Sequence, residues 1–362
     1  MTPKFHTLKI KDIRRETADC ISVSLDVPAE LKLDYTFIQG QYLTFKVNMQ
    51  GQELRRSYSI CTSPSENELR VAIKEMENGL FSTYANKNFK AGDSLDVMTP
   101  TGLFYTQLDA TQSKNYCSFA SGSGITPIMS IMKSVLYTEP GSTFTLFYGN
   151  KNSASIIFHE EIEALKNKFM GRLSVYNILS RETVDIPLLN GRIDSRKCKE
   201  CIDAKVLDPT FFHEYFLCGP ESMILSVKDI LVENGVDKKL IHFELFTTPT
   251  QTAIKAQEAP KTTGKTADKT SNVSVKIDGI TYTLDLLYGG DTILDAAIAK
   301  GADLPYACKG GVCCTCRAKV TKGTVEMEMN FALEDDEIEK GYVLTCQAHP
   351  TSEEVFIDFD IK

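Results

Sequence analysis

The amino-acid sequence predicts a multi-domain chain. An antiparallel β-barrel is expected over residues 1–110, an α/β domain with a parallel sheet over 111–246, and an α+β module of β-grasp type over 272–362. Three observations carry this expectation. Short alternating apolar and polar runs fill the first part, apolar strands alternate with helical stretches in the second, and a polar segment, Thr247–Ser271, precedes the third. At 362 residues and 42% hydrophobic, the chain is long enough for several cores.

In the first part, Leu43-Thr-Phe-Lys-Val, Arg70-Val-Ala-Ile-Lys and Ser94-Leu-Asp-Val-Met are separated by Gly and Pro turns, as in antiparallel barrels. From Tyr116 the pattern changes. Tyr116-Cys-Ser-Phe-Ala is followed by a helical stretch from Pro127 to Leu136, then by Phe144-Thr-Leu-Phe-Tyr, and Tyr215-Phe-Leu-Cys precedes a helix over Glu221–Glu233. Alternating βα units imply a mostly parallel sheet covered by helices. Thr247–Ser271 is nearly free of large apolar residues and rich in Thr, Lys, Ala and Pro, the composition of a flexible linker. Beyond it, Val273-Ser-Val-Lys-Ile and Thr281-Tyr-Thr-Leu alternate across Asp278-Gly279, a hairpin signal. Asp291 to Gly301 then reads as a short helix with an Asp or Thr N-cap.

Four cysteines, Cys308, Cys313, Cys316 and Cys346, stand as C-x4-C-x2-C with 29 residues before the fourth. This is the spacing of plant-type 2Fe–2S ferredoxins. Three thiolates on one tight loop can hold one face of a small cluster, and a fourth from a distant strand closes it. The glycines of Lys309-Gly-Gly-Val312 let backbone N–H groups approach the sulfides, which favours a reduced cluster. Cys314 falls outside the spacing and reads as a small packing residue, with a ligand swap to it as the alternative. Structural zinc pairs two short units, which the distant Cys346 fits poorly, and the lack of His in the motif disfavours a Rieske centre. The chain is therefore expected to handle single electrons.

Eleven cysteines, an odd number with four needed as thiolates, fit a reducing compartment. The N-terminus has no apolar signal region and no run of 18 or more apolar residues occurs, so a cytoplasmic protein without membrane insertion is expected. From Asn272 to Lys362 there are 16 Asp and Glu against 8 Lys and Arg, leaving 32 of each elsewhere. All the excess negative charge falls on the last module. It keeps that surface solvated, and it suits steering of an electron-transfer partner. A basic nucleic-acid footprint is absent.

Ser121-Gly-Ser-Gly-Ile-Thr-Pro127 follows an apolar strand and opens a helix, which makes it a candidate phosphate loop. Many strand-to-helix turns use glycine without binding anything, so the loop alone leaves the two readings even. Cys198-x2-Cys201 recurs with Ile202 and Lys205/Val206 at helical spacing and reads as the inner face of a helix rather than a redox or zinc motif. His349, close to Cys346, reads as structural.

With Arg56-Ser-Tyr-Ser59 and Cys218-Gly-Pro220 added, the motifs in this order resemble the ferredoxin–NADP reductase superfamily. The resemblance implies that Arg56 neutralises the pyrophosphate of FAD, Tyr58 packs on the isoalloxazine, and Ser59 sits near the reactive flavin nitrogen. A guanidinium, an aromatic face and a hydroxyl suit these tasks. It further implies a second FAD element at Gly79-Leu-Phe-Ser82, with Ile73 and Lys74 on a flavin-facing strand, and dinucleotide binding by Gly122, Gly124, Thr126 and Pro127. Cys218 would lie near the nicotinamide in a pocket shaped by Gly219 and Pro220, with Glu244 and Phe246 against flavin and nicotinamide. The catalytic candidates are thus Ser59, Cys218 and Glu244. Beyond a strand, Ser180 and Arg181 suit the 2′-phosphate of NADPH rather than the free hydroxyl of NADH, with Glu182 adjoining.

The order of FAD barrel, nucleotide domain and C-terminal ferredoxin resembles the reductase components of multicomponent oxygenases. Tyr306 to Ala318, Met329 to Glu334 and Gly341 to Cys346 are similar to the phenylacetyl-CoA epoxidase reductase family, although the linker is longer and richer in Lys and Thr than that family implies. The resemblance implies hydride transfer from NADPH to FAD, single electrons onward to a 2Fe–2S cluster, and a di-iron oxygenase component acting on an aromatic acyl-CoA as acceptor. Two other readings stand beside it. One is a reductase for a Rieske-type ring or steroid hydroxylase. The other is a non-catalytic electron-relay protein, in which the last cysteine follows much sooner and Ser180-Arg181 has no purpose.

Overall fold

The computed structural model describes residues 3–49, 51–246 and 269–361, so most of the expected linker lies outside the described residues. Two compact units result, one of His6–Leu54 with Tyr58–Phe246 and one containing the C-terminal segment.

In the first unit the alternating runs become β1 (Phe5–Thr17), β2 (Cys20–Asp26), β3 (Tyr42–Met49), β4 (Gln52–Ser59), β5 (Leu69–Lys74) and β6 (Ser94–Met98). Their order is β4-β3-β6-β1-β2-β5. A bridge from Ile60, just past β4, to Val71 of β5 joins the two ends and closes a barrel. Alternation sends Val23, Leu43, Phe45, Val71, Ile73 and Val97 into its interior. Helix α1 (Leu80–Asn88) follows β5 and packs on it.

The second half of this unit is a five-stranded sheet of β7 (Asn115–Ser121), β8 (Thr143–Asn150), β9 (Leu173–Leu179), β10 (Glu214–Gly219) and β11 (Ile241–Leu245), ordered β11-β10-β7-β8-β9. Every pairing is parallel. Central parallel strands are covered on both faces, which is why Tyr116–Ala120 and Phe144–Tyr148 read as continuous apolar runs. The covering helices are α2 (Ile125–Thr138), α3 (His159–Lys168), α4 (Ser195–Asp203) and α5 (Glu221–Glu233). The chain enters at β7, moves outward through β8 and β9, then returns to β10 on the other side, so the order reverses between β7 and β10. Open sheets of this kind bind ligands at that reversal.

Helix α2 joins barrel and sheet through a polar face. Ser130 Oγ donates to the Thr62 carbonyl at 2.6 Å, and Lys133 Nζ lies 2.8 Å from the carboxylates of both Glu66 and Glu161. Lys133 is only 2% exposed. Burial alone would lower its pKa, but the acids around it outweigh burial and raise it.

The C-terminal unit is a mixed sheet of β12 (Thr270–Ile277), β13 (Ile280–Leu287), β14 (Arg317–Lys322), β16 (Tyr342–Leu344) and β18 (Glu354–Asp358), ordered β13-β12-β18-β14-β16, beside a small pair of β15 (Val325–Met327) and β17 (Ala348–Pro350). Helix α6 (Ile293–Ala299) packs against β13, and α7 (Asp335–Glu339) against β16. Thr292 caps α6, accepting from the Asp295 N–H at 3.2 Å. Asp278 and Gly279 make the hairpin turn with φ of 48° and 77°. Strand β12 begins at Thr270, inside the segment expected as linker.

Candidate functional site

The glycine loop lies at the strand-order reversal. Gly122–Gly124 leaves β7 as a 3-10 turn, and among the described residues no side chain caps the start of α2, where the Ile125 N–H turns back to the Gly122 and Ser123 carbonyls and Pro127 has none. Gly124 serves close packing, because a Cβ there would lie 2.1 Å from the Cys218 carbonyl oxygen, whereas Gly122 faces open space. Beneath the loop, fully buried Tyr148 of β8 donates to the Gly122 carbonyl at 3.0 Å. This draws that carbonyl toward the core and turns the N–H of the same peptide, that of Ser123, outward. Thr126 Oγ donates to the Ser123 carbonyl at 3.0 Å, and Pro127 falls in the first turn of α2.

Ser59, Cys218 and Glu244 come together here. Glu244 of β11 stands opposite Cys218 of β10 in the parallel register, and Ser59, ending β4, donates to Glu244 Oε2 at 3.1 Å. Glu244 is half-buried as a residue, but its carboxyl is withdrawn from water. That desolvation pushes it up to about 7, against the opposing effect of the Ser59 bond. Burial, then the neighbouring Glu244, pushes the Cys218 thiol well above its ordinary range, so it stays protonated. Gly219 and Pro220 lead from β10 into α5, and Phe246, just past β11, is exposed.

Past β9, Ser180 directs both its N–H and its Oγ to the Asn150 carbonyl, at 2.9 and 3.2 Å. Arg181 is exposed. Glu182 turns away and accepts from the Ser153 N–H and Oγ at 2.8 and 2.9 Å.

On the barrel, the Tyr58 ring lies 5.8 and 5.6 Å from those of Phe45 and Phe81, and Arg56 Nη1 donates to the Arg55 carbonyl at 2.8 Å. Ile73 points into the barrel core, and Lys74 holds Asp19 at 3.2 Å. Gly79 stands at the N-cap of α1, while Ser82 Oγ accepts from the Met76 N–H at 3.0 Å.

In the C-terminal unit the four spaced cysteines converge. Cys313 Sγ is 3.1 Å from Cys308 Sγ, the Cys346 thiol interacts with those of Cys308 and Cys316, and the Gly310 N–H donates to Cys308 Sγ at 3.3 Å. The loop turns through left-handed φ at Lys309 (51°) and Gly311 (71°), and a Cβ on Gly311 would lie 2.8 Å from the Met329 carbonyl. The contact with Cys308, then burial, holds the Cys313 thiol far above its usual range. Thiols packed this closely ionise only around a cationic occupant. Among the described residues no three His, Cys, Asp or Glu side chains gather as a single metal ion requires. A two-iron cluster asks for a different arrangement, four cysteines shared between two irons, and the donor set fits it.

Known proteins are similar to this chain. Family models match for an oxidoreductase FAD-binding domain over residues 7–105, an oxidoreductase NAD-binding domain over 119–229, and a 2Fe–2S iron–sulfur cluster binding domain over 275–351. One of the subunits of 1,2-phenylacetyl-CoA epoxidase from Escherichia coli (strain K12) is 43% identical over 99% of this chain and 98% of that protein. The ferredoxin reductase component of 3-ketosteroid-9-alpha-monooxygenase from Rhodococcus rhodochrous is 32% identical over 97% of this chain and 96% of that protein. The chain belongs to the family of oxygenase reductase components. Phthalate dioxygenase reductase matches in structure with a TM-score of 0.56 at 20% identity over 98% of both chains. An intact type IV self-sufficient cytochrome P450 monooxygenase matches with a TM-score of 0.69 at 19% identity, 98% of this chain spanning 41% of it. At such identities these two show the fold alone.

As a member of this family the chain is an oxidoreductase with FAD-binding, NAD-binding and 2Fe–2S domains, a pyridine nucleotide as donor and an oxygenase as acceptor. Among the described residues no helix is long and apolar enough to cross a membrane. Tyr148 and Lys133, which hold the glycine loop and the barrel–sheet junction, were not legible in the sequence. Both lie within apolar runs, and their partners are backbone and side-chain groups far along the chain.

Proposed function

We propose that this chain takes hydride from NADPH and passes single electrons through a 2Fe–2S centre held by Cys308, Cys313, Cys316 and Cys346. The acceptor is the di-iron oxygenase component of a phenylacetyl-CoA epoxidase. The observation that carries this is the 43% identity to the Escherichia coli epoxidase component over 99% of the chain. FAD, when bound, supplies the conversion between a two-electron hydride and single electrons.

In this reading Arg56, Gly79 and Ser82 hold the FAD pyrophosphate, Tyr58 offers a ring face, and Ile73 and Lys74 support the strand beside it. Ser59 Oγ donates to Glu244 Oε2 and is held in place by it beside the flavin, while neutral Cys218, with Gly219, Pro220 and Phe246, lines the nicotinamide site without adding charge. Gly122, Gly124, Thr126 and Pro127 form the loop and helix start that face the dinucleotide. Ser180 and Arg181 take the 2′-phosphate. Glu182, engaged by Ser153, leaves that position to the cation. The reading also puts the chain in the reducing cytoplasm, where its eleven cysteines stay free thiols or ligands.

NADPH should therefore outperform NADH in reducing an artificial acceptor. Arg181→Ala should raise KM for NADPH by about 10- to 150-fold, the equivalent of one charge-assisted contact of roughly 1.5–3 kcal/mol. An unmodified enzyme that prefers NADH would overturn this part. For the acceptor, the chain as sole reductase should sustain epoxidation of phenylacetyl-CoA by the oxygenase component. A second reading, the reductase of a Rieske-type ring or steroid hydroxylase, has the 32% identity to a ketosteroid monooxygenase reductase behind it, and turnover only with a steroid oxygenase would establish it.

A further inference from the structure

Gln347 follows Cys346 and is only 5% exposed. Its Nε2 reaches the Cys346 carbonyl at 2.8 Å, the Lys309 carbonyl at 3.1 Å and Cys346 Sγ at 3.7 Å. The two carbonyls fix which end of the amide faces the loop, because Oε1 in that place would oppose like dipoles. Oε1 itself is buried without a partner among the described residues. An amide kept in place at that cost is held there by what its Nε2 does.

One acceptor has a particular position. Lys309 is a non-glycine residue at φ 51° in the middle of the ligand loop. Its carbonyl shares a peptide with the Gly310 N–H, which donates to Cys308 Sγ at 3.3 Å. Gln347 thus pulls on one end of the peptide whose other end contacts a thiolate ligand, and hydrogen bonds in such a chain polarise one another.

We propose that Gln347 is a positioning residue for the cluster. Its two Nε2 hydrogens serve the Cys346 and Lys309 carbonyls, so that it fixes the Gly310 donor on Cys308 Sγ through the Lys309–Gly310 peptide and sets the positive end of its amide dipole 3.7 Å from Cys346 Sγ. One buried amide thereby favours the electron-rich state at two of the four ligands and raises the reduction potential. The inference rests on the ligand assignment under the proposed function.

The test uses the full-length, cluster-loaded protein. Gln347→Leu should shift the cluster potential to more negative values in a redox titration, change the electron paramagnetic resonance of the reduced cluster, and speed cluster loss to an iron chelator. Flavin reduction by NADPH should not change. If Gln347→Leu loads no cluster, the double variant Lys309→Gly/Gln347→Leu should load it, because glycine accepts the left-handed φ without strain. Its potential should still lie below that of Lys309→Gly alone. A loaded variant whose potential equals that of its Gln347-containing parent overturns the proposal, as does a double variant that stays empty. Unmodified protein without a 2Fe–2S cluster would instead overturn the ligand assignment itself.

Discussion

Glu244 ties the chemistry of the site to its stability. With the carboxyl pushed up to about 7 by desolvation, the flavin-free folded chain keeps a proton that the unfolded chain, titrating near 4.5, has released. Stability from this group is complete below about pH 4.5 and is lost as pH rises through about 7. Melting temperatures of flavin-free protein should fall across that window, and Glu244→Gln should flatten the fall; equal slopes for both proteins would mean that the carboxyl is already ionised. Tyr148 offers a sharper probe of the nucleotide loop. Tyr148→Phe removes one hydroxyl from under Gly122, a bond worth about 0.5–1.5 kcal/mol, and should raise KM for NADPH by roughly 2- to 12-fold with FAD content unchanged. At this scale the sequence showed Ser59, Cys218 and Glu244 as three separate motifs. Their meeting depends on the β10–β11 register and on where β4 ends, which no local pattern encodes.

Elements were legible where their chemistry is local. The Asp278-Gly279 turn follows from its two left-handed residues, and α6 from its Thr292 cap. Where a distant partner sets the boundary, local composition does not show it. Strand β12 starts at Thr270 because Thr270 pairs with Leu287 of β13, although its own composition is that of a linker. Helix α2 was readable as a helix but not as a joint. Lys133, a single charge in an apolar stretch, is held between Glu66 of the barrel's β4–β5 connection and Glu161 of α3. Lys133→Ala leaves two carboxylates facing one another without their cation and should lower stability by about 3 kcal/mol in denaturant unfolding. A loss under about 1 kcal/mol would show that water takes over the role of the ammonium.

For the whole molecule, the order of modules was readable because each carries its own signal: alternating runs, a glycine loop after an apolar strand, and a cysteine spacing. What the spacing could not convey is how the ligand loop is held, through Gly311 against the Met329 carbonyl and Gln347 on the Lys309 carbonyl. In the proposed relay, hydride enters the first unit and single electrons leave from the cysteine centre of the second. Stopped-flow mixing of the anaerobic full-length protein and of Cys346→Ser with NADPH tests it most directly, because a hydroxyl replaces a thiolate ligand poorly. Flavin reduction should be fast in both proteins, followed by cluster bleaching and cytochrome c reduction only in the unmodified one. Loss of flavin reduction in Cys346→Ser, or cytochrome c reduction at the unmodified rate without the cluster, would contradict it.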